Sequence, residues 1–213
     1  MKKFLFLLSA LLLMNCTTTE LVERWKNPTI DSLSVNKVLI VGMTSNIEAR
    51  KQFEEKLKNE YEARGVEAVM SLELFEPTFT AEKKSKLELR IVEQILATSY
   101  FDAILFTKIQ GVESKVAYTK TFKNKEYLDI RFKDDYYKNQ EIYYNPDYNR
   151  KFNIYHAETS LYCICPIKER ELVWKGSIDI VDPSSIQETV DDYVNLLIFT
   201  LEEENLLKKM EIE

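Results

Sequence analysis

The apolar positions of this chain fall into runs of two kinds, and their order predicts an α/β domain. Lys37-Val38-Leu39-Ile40-Val41-Gly42-Met43 is apolar on both parities, the pattern of a strand covered on both faces. Ser45-Asn46-Ile47-Glu48 follows with capping-box spacing, Ser45 at the cap and Glu48 placed to return to the cap N–H. A helix is predicted over 46–64, with Ile47, Phe53, Leu57 and Tyr61 on its apolar face and Gly65 as its left-handed stop. Residues 66–69 read as a short strand, so strand, helix and strand make a parallel βαβ unit with a right-handed crossover. Pro77 and Thr80 introduce a second helix that buries Leu87, Ile91, Val92, Ile95 and Leu96 and ends near Ser99. Residues 102–109 are a third apolar strand, and the first three strands are expected to be parallel and central.

The pattern changes at Gly111. Between there and Lys151 lie Tyr118, Tyr127, Tyr136, Tyr137, Tyr143, Tyr144 and Tyr148 among charges of both signs. Disordered segments are poor in aromatics, so hairpin arms or a long ordered loop are predicted. Alternation returns with Tyr155, Ala157, Thr159, Leu161, Cys163 and Cys165, and then with Leu172, Trp174, Gly176, Ile178 and Ile180. Two strands with one core-facing side form an antiparallel hairpin, its turn near 166–170. A last helix opens at Ser185, with Glu188 at capping-box spacing, and carries Ile186, Val190, Val194, Leu197 and Leu201 as its stripe. The expected fold class is α/β (α+β), one mixed sheet in the order β-α-β-α-β-(insertion)-β-β-α with helices packed on it. One domain spans 37–207, with the tyrosine-rich insertion at about 111–151.

The amino terminus changes the picture from a globular domain to an anchored one. MKKFLFLLSALLLMNC has a basic start at Lys2 and Lys3, an apolar run and a cysteine at the cleavage position, which reads as a lipoprotein signal peptide over 1–15. The run is shorter than the roughly 20 residues that span a bilayer. Cys16 would be the lipidated first residue of the mature chain, with 16–36 as tether and linker. An ordinary signal peptide cut elsewhere, or an uncleaved anchor, is the alternative. Asn15 departs from the small residue usual before such a cysteine, and the lack of Asp after Cys16 favours the outer membrane.

Composition narrows the chemistry. The chain has a net charge of −6, and cleavage before Cys16 would remove two further lysines. Nucleic acids and anionic surfaces are bound through clustered Lys and Arg, so neither is expected as a partner of the head. Cys16, Cys163 and Cys165 are the cysteines and His156 the histidine, too few for a zinc site without carboxylate ligands. No metal or cofactor is expected. A bridge between Cys163 and Cys165 would strain an extended strand, so reduced, buried thiols are expected.

At the residue level the stretch KVLIVGMTSNIEARKQFEEKLKNEYEARGVEAV, with Arg50, Phe53, Glu54, Gly65, Val66 and Ala68, together with Trp25 and Leu172-Val173-Trp174, resembles small bacterial lipoproteins of the TolB amino-terminal, CsgG and LpoB-like envelope domain group. The resemblance covers residues 25–207 outside the insertion, and its motifs are core patterns. It implies a compact head that binds another envelope protein or assembles with copies of itself, without catalysis.

The remaining candidates weigh little as chemistry. The turn Met43-Thr44-Ser45-Asn46 sits where a helix N-terminus could receive an anion, but it lacks the glycines of a phosphate loop. His156 falls on the outward parity, with no nucleophile elbow in the chain to serve. Asp134-Asp135 and Asp191-Asp192 read as solvated pairs. Tyrosine suits a surface half buried and half wet, so Tyr136, Tyr137, Tyr143 and Tyr144 are the candidate partner-binding residues. The expected function is that of a lipid-anchored, non-enzymatic envelope lipoprotein, a binding or assembly adaptor for an envelope protein or peptidoglycan. It would face the periplasm from the outer membrane. The alternative is an envelope enzyme or small-ligand-binding protein acting on cell-wall material.

Overall fold

The computed structural model describes residues 18–76, 79, 83–116, 151–164 and 171–210. In chain order the elements are β1 (Thr19–Lys26), β2 (Lys37–Met43), α1 (Ile47–Glu62), β3 (Glu67–Met70), α2 (Ser71–Leu74), α3 (Lys86–Thr98), β4 (Ala103–Val116), β5 (Lys151–Cys163), β6 (Leu172–Val181) and α4 (Ile186–Glu203). The strands make one sheet in the order β1-β6-β5-β4-β2-β3. β3, β2 and β4 run parallel, whereas β4, β5, β6 and β1 pair antiparallel. The mixed sheet and α+β class are those expected from the sequence.

Three features of the topology differ from that expectation. β3 lies at the sheet edge and not at its centre. β1 falls inside the stretch expected to be tether and linker, where it pairs with β6 from Thr19↔Ile180 to Lys26↔Trp174. It is mostly exposed, and its charged residues suit an edge that must not recruit another strand. Gly111 is not a boundary, because β4 passes through an irregularity between Ile109 and Gly111 and stays paired with β5 as far as Val116↔Lys151. The rest of the insertion, 117–150, lies outside the described residues.

Alternation along the strands divides the core in two. Val38 and Ile40 of β2, Leu105 of β4, Leu161 of β5 and Trp174 and Ile178 of β6 face α1 and α4. Those helices return Phe53, Leu57 and Tyr61, and Val190, Val194, Leu197 and Leu201. Leu39 and Val41 point to the opposite face and meet Leu96, Phe101 and Ile164. Full burial of a large aliphatic or aromatic side chain contributes about 1.5–3 kcal/mol, so the α1/α4 layer carries most of the stability.

The helix ends show why these segments are helical. Asn46, and not Ser45, caps α1: its side chain accepts from the N–H of Glu48 and of Ala49, each at 3.1 Å. Gly65 ends that helix at φ +78°, a conformation that costs an L side chain and not glycine. Ser85 and Glu88 form the capping box of α3. Ser185 caps α4 through the Glu188 N–H, while the Glu188 carboxylate takes the Ser184 hydroxyl instead of completing the box. Ile47 is exposed in α1.

The apolar face expected of α3 is the largest correction. Leu87 is 63%, Ile91 50% and Ile95 44% exposed, and Leu89 stands with them at 44%. Leu96 is the buried residue of the helix, with Val92 partly buried beside it. α3 thus meets the sheet along one short line near its carboxyl end and leaves its aliphatic stripe outside.

Candidate functional site

The parallel strands β2 and β4 end together, Met43 opposite Lys108, and the chain turns there into α1. Crevices at the carboxyl ends of parallel strands are where open α/β sheets receive ligands. In this molecule that end holds a cavity of about 110 Å³ between α1, α4 and the sheet. Met43, Phe53, Ile109, Ile180 and Val190 give it walls that are overwhelmingly apolar. Tyr193 closes the inner side, its ring edge-on to Phe53 at 5.8 Å between centroids.

Close packing of α1 on β2 shapes the cavity. A Cβ on Gly42 would meet Phe53 Cδ1 at 3.2 Å and Arg50 Cγ at 3.3 Å, so glycine is what lets the helix approach the strand. Beneath that contact Arg50 and Glu54 are 1% and 0% exposed. Glu54 Oε1 accepts from the Gly42 N–H at 2.9 Å, Arg50 Nε at 3.0 Å and the Ser71 hydroxyl at 2.5 Å. Its Oε2 accepts from the Leu72 N–H at 3.1 Å, and Arg50 Nη2 donates to Ser71 Oγ at 2.7 Å. One carboxylate thus ties β2, α1 and α2 together.

The polar groups at the inner wall are engaged with one another. Thr107 Oγ1 and Thr159 Oγ1 are 2.7 Å apart, and Thr159 Oγ1 and the Tyr193 hydroxyl 2.8 Å. Burial pushes the Tyr193 phenol well above its ordinary value, outweighing the Thr159 hydrogen bond, so it stays neutral. The Lys108 ammonium is drawn to Glu158 Oε1 at 3.0 Å, where Lys175 also sits at 3.1 Å. Burial raises the Glu158 carboxyl, but the two lysines outweigh it and hold the group below the ordinary range. Among the described residues lining the cavity there is no carboxylate, imidazole or thiol. Besides its apolar walls the cavity is lined by Thr44, Arg50, Lys108 and Thr189.

Among the described residues singled out in the sequence as candidate sites, those other than Met43 and Thr44 do not line this cavity. Cys16, Cys165, Tyr136, Tyr137, Tyr143, Tyr144 and Asp134-Asp135 are outside the described residues. The turn with Met43 and Thr44 does border the cavity. His156 is 39% exposed and joins Asp179 through Nδ1 at 2.6 Å, with Glu113 at 3.8 Å from Nε2. Asp191 and Asp192 are not a free solvated pair. Asp191 takes Lys56 at 3.0 Å, which with Gln187 lowers its carboxyl pKa, and Asp192 takes Thr18. Cys163 is buried as expected but disulfide-bonded, not reduced.

Among the described residues no group of three or more His, Cys, Asp or Glu is placed to hold a metal ion. No helix among them is long and apolar enough to cross a membrane.

No family model matches the chain, and no curated protein matches it. Among solved structures it is similar to a PelC dodecamer from Paraburkholderia phytofirmans, at 9% identity and a TM-score of 0.43, over 89% of this chain and 99% of that one. It is also similar to the lipoprotein GNA1162 from Neisseria meningitidis, at 12% identity and a TM-score of 0.40, over 78% of this chain and 98% of that one. One of these structures is thus by its name a lipoprotein, the coarse part of the resemblance read from the sequence, while the finer assignment to the TolB, CsgG and LpoB-like group is not shown by them. Likeness at this level carries no argument about what this chain does.

Proposed function

We propose that the protein is a lipid-anchored, non-enzymatic lipoprotein of the bacterial envelope. It is acylated on Cys16, faces the periplasm from the outer membrane, and serves as an adaptor that binds another envelope protein. The observation that carries the adaptor reading is α3. Leu87, Leu89, Ile91 and Ile95 stand 44–63% exposed on one short helix, and contiguous apolar surface of this kind marks interaction sites. Tyr136, Tyr137, Tyr143 and Tyr144 of the insertion add a second contact in this reading. Anchoring is supported by the leader sequence, with Lys2 and Lys3, the apolar run and Cys16 at the cleavage position.

Two experiments test the two halves separately. A palmitate analogue fed to cells should label the wild-type protein and not Cys16→Ala; equal labelling removes the anchor. A photo-cross-linking residue at Leu87, Ile91 or Ile95, in intact cells, should capture one and the same envelope protein, and the same residue at exposed Glu55 of α1 should not. Equal capture from both helices, or none from α3, refutes the adaptor surface.

A further inference from the structure

The three hydroxyls at the inner wall of the cavity hold more hydrogens than they can spend on one another. Thr107 Oγ1 lies 2.7 Å from Thr159 Oγ1, which lies 2.8 Å from the Tyr193 hydroxyl. Each hydroxyl carries one hydrogen, so three hydrogens serve two contacts and one is left over. Burial keeps the Tyr193 phenol protonated, so the count holds at neutral pH. Head-to-tail donation places the leftover hydrogen at an end of the row, on Thr107 if Tyr193 donates inward and on Tyr193 if Thr107 does. Both ends line the cavity, and the middle member Thr159 does not. Neither end meets a further acceptor among the described residues. Thr107 is 7% and Tyr193 3% exposed. A buried donor without an acceptor is costly, so this wall calls for an oxygen from inside the cavity.

We propose that the cavity binds a small amphipathic molecule, a compact hydrocarbon body with one carbonyl or hydroxyl oxygen that accepts from the Thr107/Tyr193 row. This site is independent of the anchor and of the α3 surface. Space sets the size of the body. An apolar cavity of about 150 Å³ takes benzene, so 110 Å³ suits a body of about five carbons. Met43, Phe53, Ile109, Ile180 and Val190 supply its apolar surroundings. The other polar side chains of the lining are engaged with the protein: Arg50 with Glu54 and Ser71, Lys108 with Glu158, and Thr189 with the Ser185 carbonyl. Thr44 accepts from the Asn46 N–H in the half-buried turn. The ligand oxygen therefore belongs at the inner wall. It decides between ligands of one shape: a hydrocarbon leaves the donor unpaired, whereas a ketone on the same ring replaces its lost hydration with that donor.

The test compares cyclopentanone with cyclopentane on the full-length protein in lipid nanodiscs, at equal free concentration. Binding is read from the methyl NMR signals of Ile109, Ile180 and Val190. Cyclopentane is the more hydrophobic, so an apolar cavity without a donor binds it the more tightly. Wild type should reverse that order, with the ketone about tenfold tighter and nuclear Overhauser contacts from its ring to those three side chains. Thr107→Val, Thr159→Val and Tyr193→Phe together remove the whole row at nearly constant shape, and partners that leave together cost little. In that variant the hydrocarbon should bind the more tightly. The same order in both proteins overturns the proposal, and so does ketone binding that shifts other signals and not these. Absence of shifts with either compound at millimolar concentration also overturns it and leaves a cavity for water only. Ala49→Phe, at a half-buried lining position on the first turn of α1, keeps the test decisive if the triple variant does not fold. It fills the cavity without touching the row, and should abolish the ketone shifts while far-UV circular dichroism stays unchanged. Undiminished ketone binding in that folded variant overturns the proposal.

Discussion

Glu54→Ala tests whether the buried ion pair is the clasp between β2, α1 and α2. The substitution removes an acceptor for four donors: the Gly42 and Leu72 N–H groups, Arg50 Nε and the Ser71 hydroxyl. It takes the Glu54 carboxylate away from the Arg50 side chain, which is 1% exposed. Breaking a buried pair by deleting one partner costs about 3–5 kcal/mol, most of it the penalty of an uncompensated charge. For a chain of this size 1 kcal/mol moves Tm by roughly 2–4 °C, so a fall of about 6–20 °C is expected. The assay is thermal denaturation followed by circular dichroism, paired with a urea titration whose slope is compared with wild type to confirm that the denatured state is unchanged. Glu73→Ala is the reference: its partner Lys58 sits at 2.8 Å on the surface, and such pairs contribute about 0.2–1 kcal/mol. The double replacement Arg50→Met with Glu54→Leu should recover much of the loss, because apolar residues of similar volume satisfy the site without charge. If Glu54→Ala costs no more than Glu73→Ala, the clasp is refuted.

Gly176→Ala places a Cβ 2.3 Å from Cη2 of Trp174, a fully buried ring, so overpacking of about 1–3 kcal/mol should appear in thermal melts with a changed tryptophan fluorescence spectrum. Burial raises the phenols of Tyr61 and Tyr193 above their ordinary value. Above about pH 10 the unfolded chain loses protons that the folded chain keeps, so stability must fall as pH rises past that point, and a urea midpoint unchanged between pH 9 and pH 11 would contradict it. Leu96→Ala should cost about 2–5 kcal/mol, because Leu96 is fully buried. Leu87→Ser with Ile91→Ser on the exposed face should stay within about 0.5 kcal/mol per site in the same denaturation assay.

What was legible in the sequence and what was not follow from how local each signal is. β2 was readable because a strand covered on both faces must be apolar at every position, and Val38 to Val41 are. The β5/β6 hairpin was readable because one parity faces α1 and α4 and the other does not. α3 misled because a period of 3.6 reports that a helix has an apolar side and says nothing about what covers it. β1 was invisible because an edge strand with charged residues and no fully buried side chain carries no alternation to find. Arg50 and Glu54 were missed as buried groups because a charged pair at i,i+4 ordinarily reads as solvent-facing. The one available hint was their position beside Phe53 and Leu57 on the helix. The cavity draws on β2, β4, β5, β6, α1 and α4, and no local pattern encodes such a meeting.

The unforeseen strand changes how the anchor and the surfaces relate. A flexible tether would let the head tumble and would make the orientation of any binding face irrelevant. Instead β1 continues the sheet up to Thr19, and Thr18 is held by Asp192 and Val181, so one residue, Thr17, separates that bonded threonine from Cys16. In the proposed anchored form the lipid on Cys16 would follow the bonded Thr18 by two residues. The aliphatic stripe of α3 belongs to the opposite face from α1 and α4, since Leu96 packs with Leu39 and Val41 while Val38 and Ile40 pack with the other two helices. The sheet that holds Thr19 at one end therefore also holds the exposed stripe on a defined side. In the proposed anchored form, a head joined this closely to its lipid would present that stripe in a restricted set of orientations to the membrane plane, which is why the adaptor proposal calls for a partner itself fixed in the envelope.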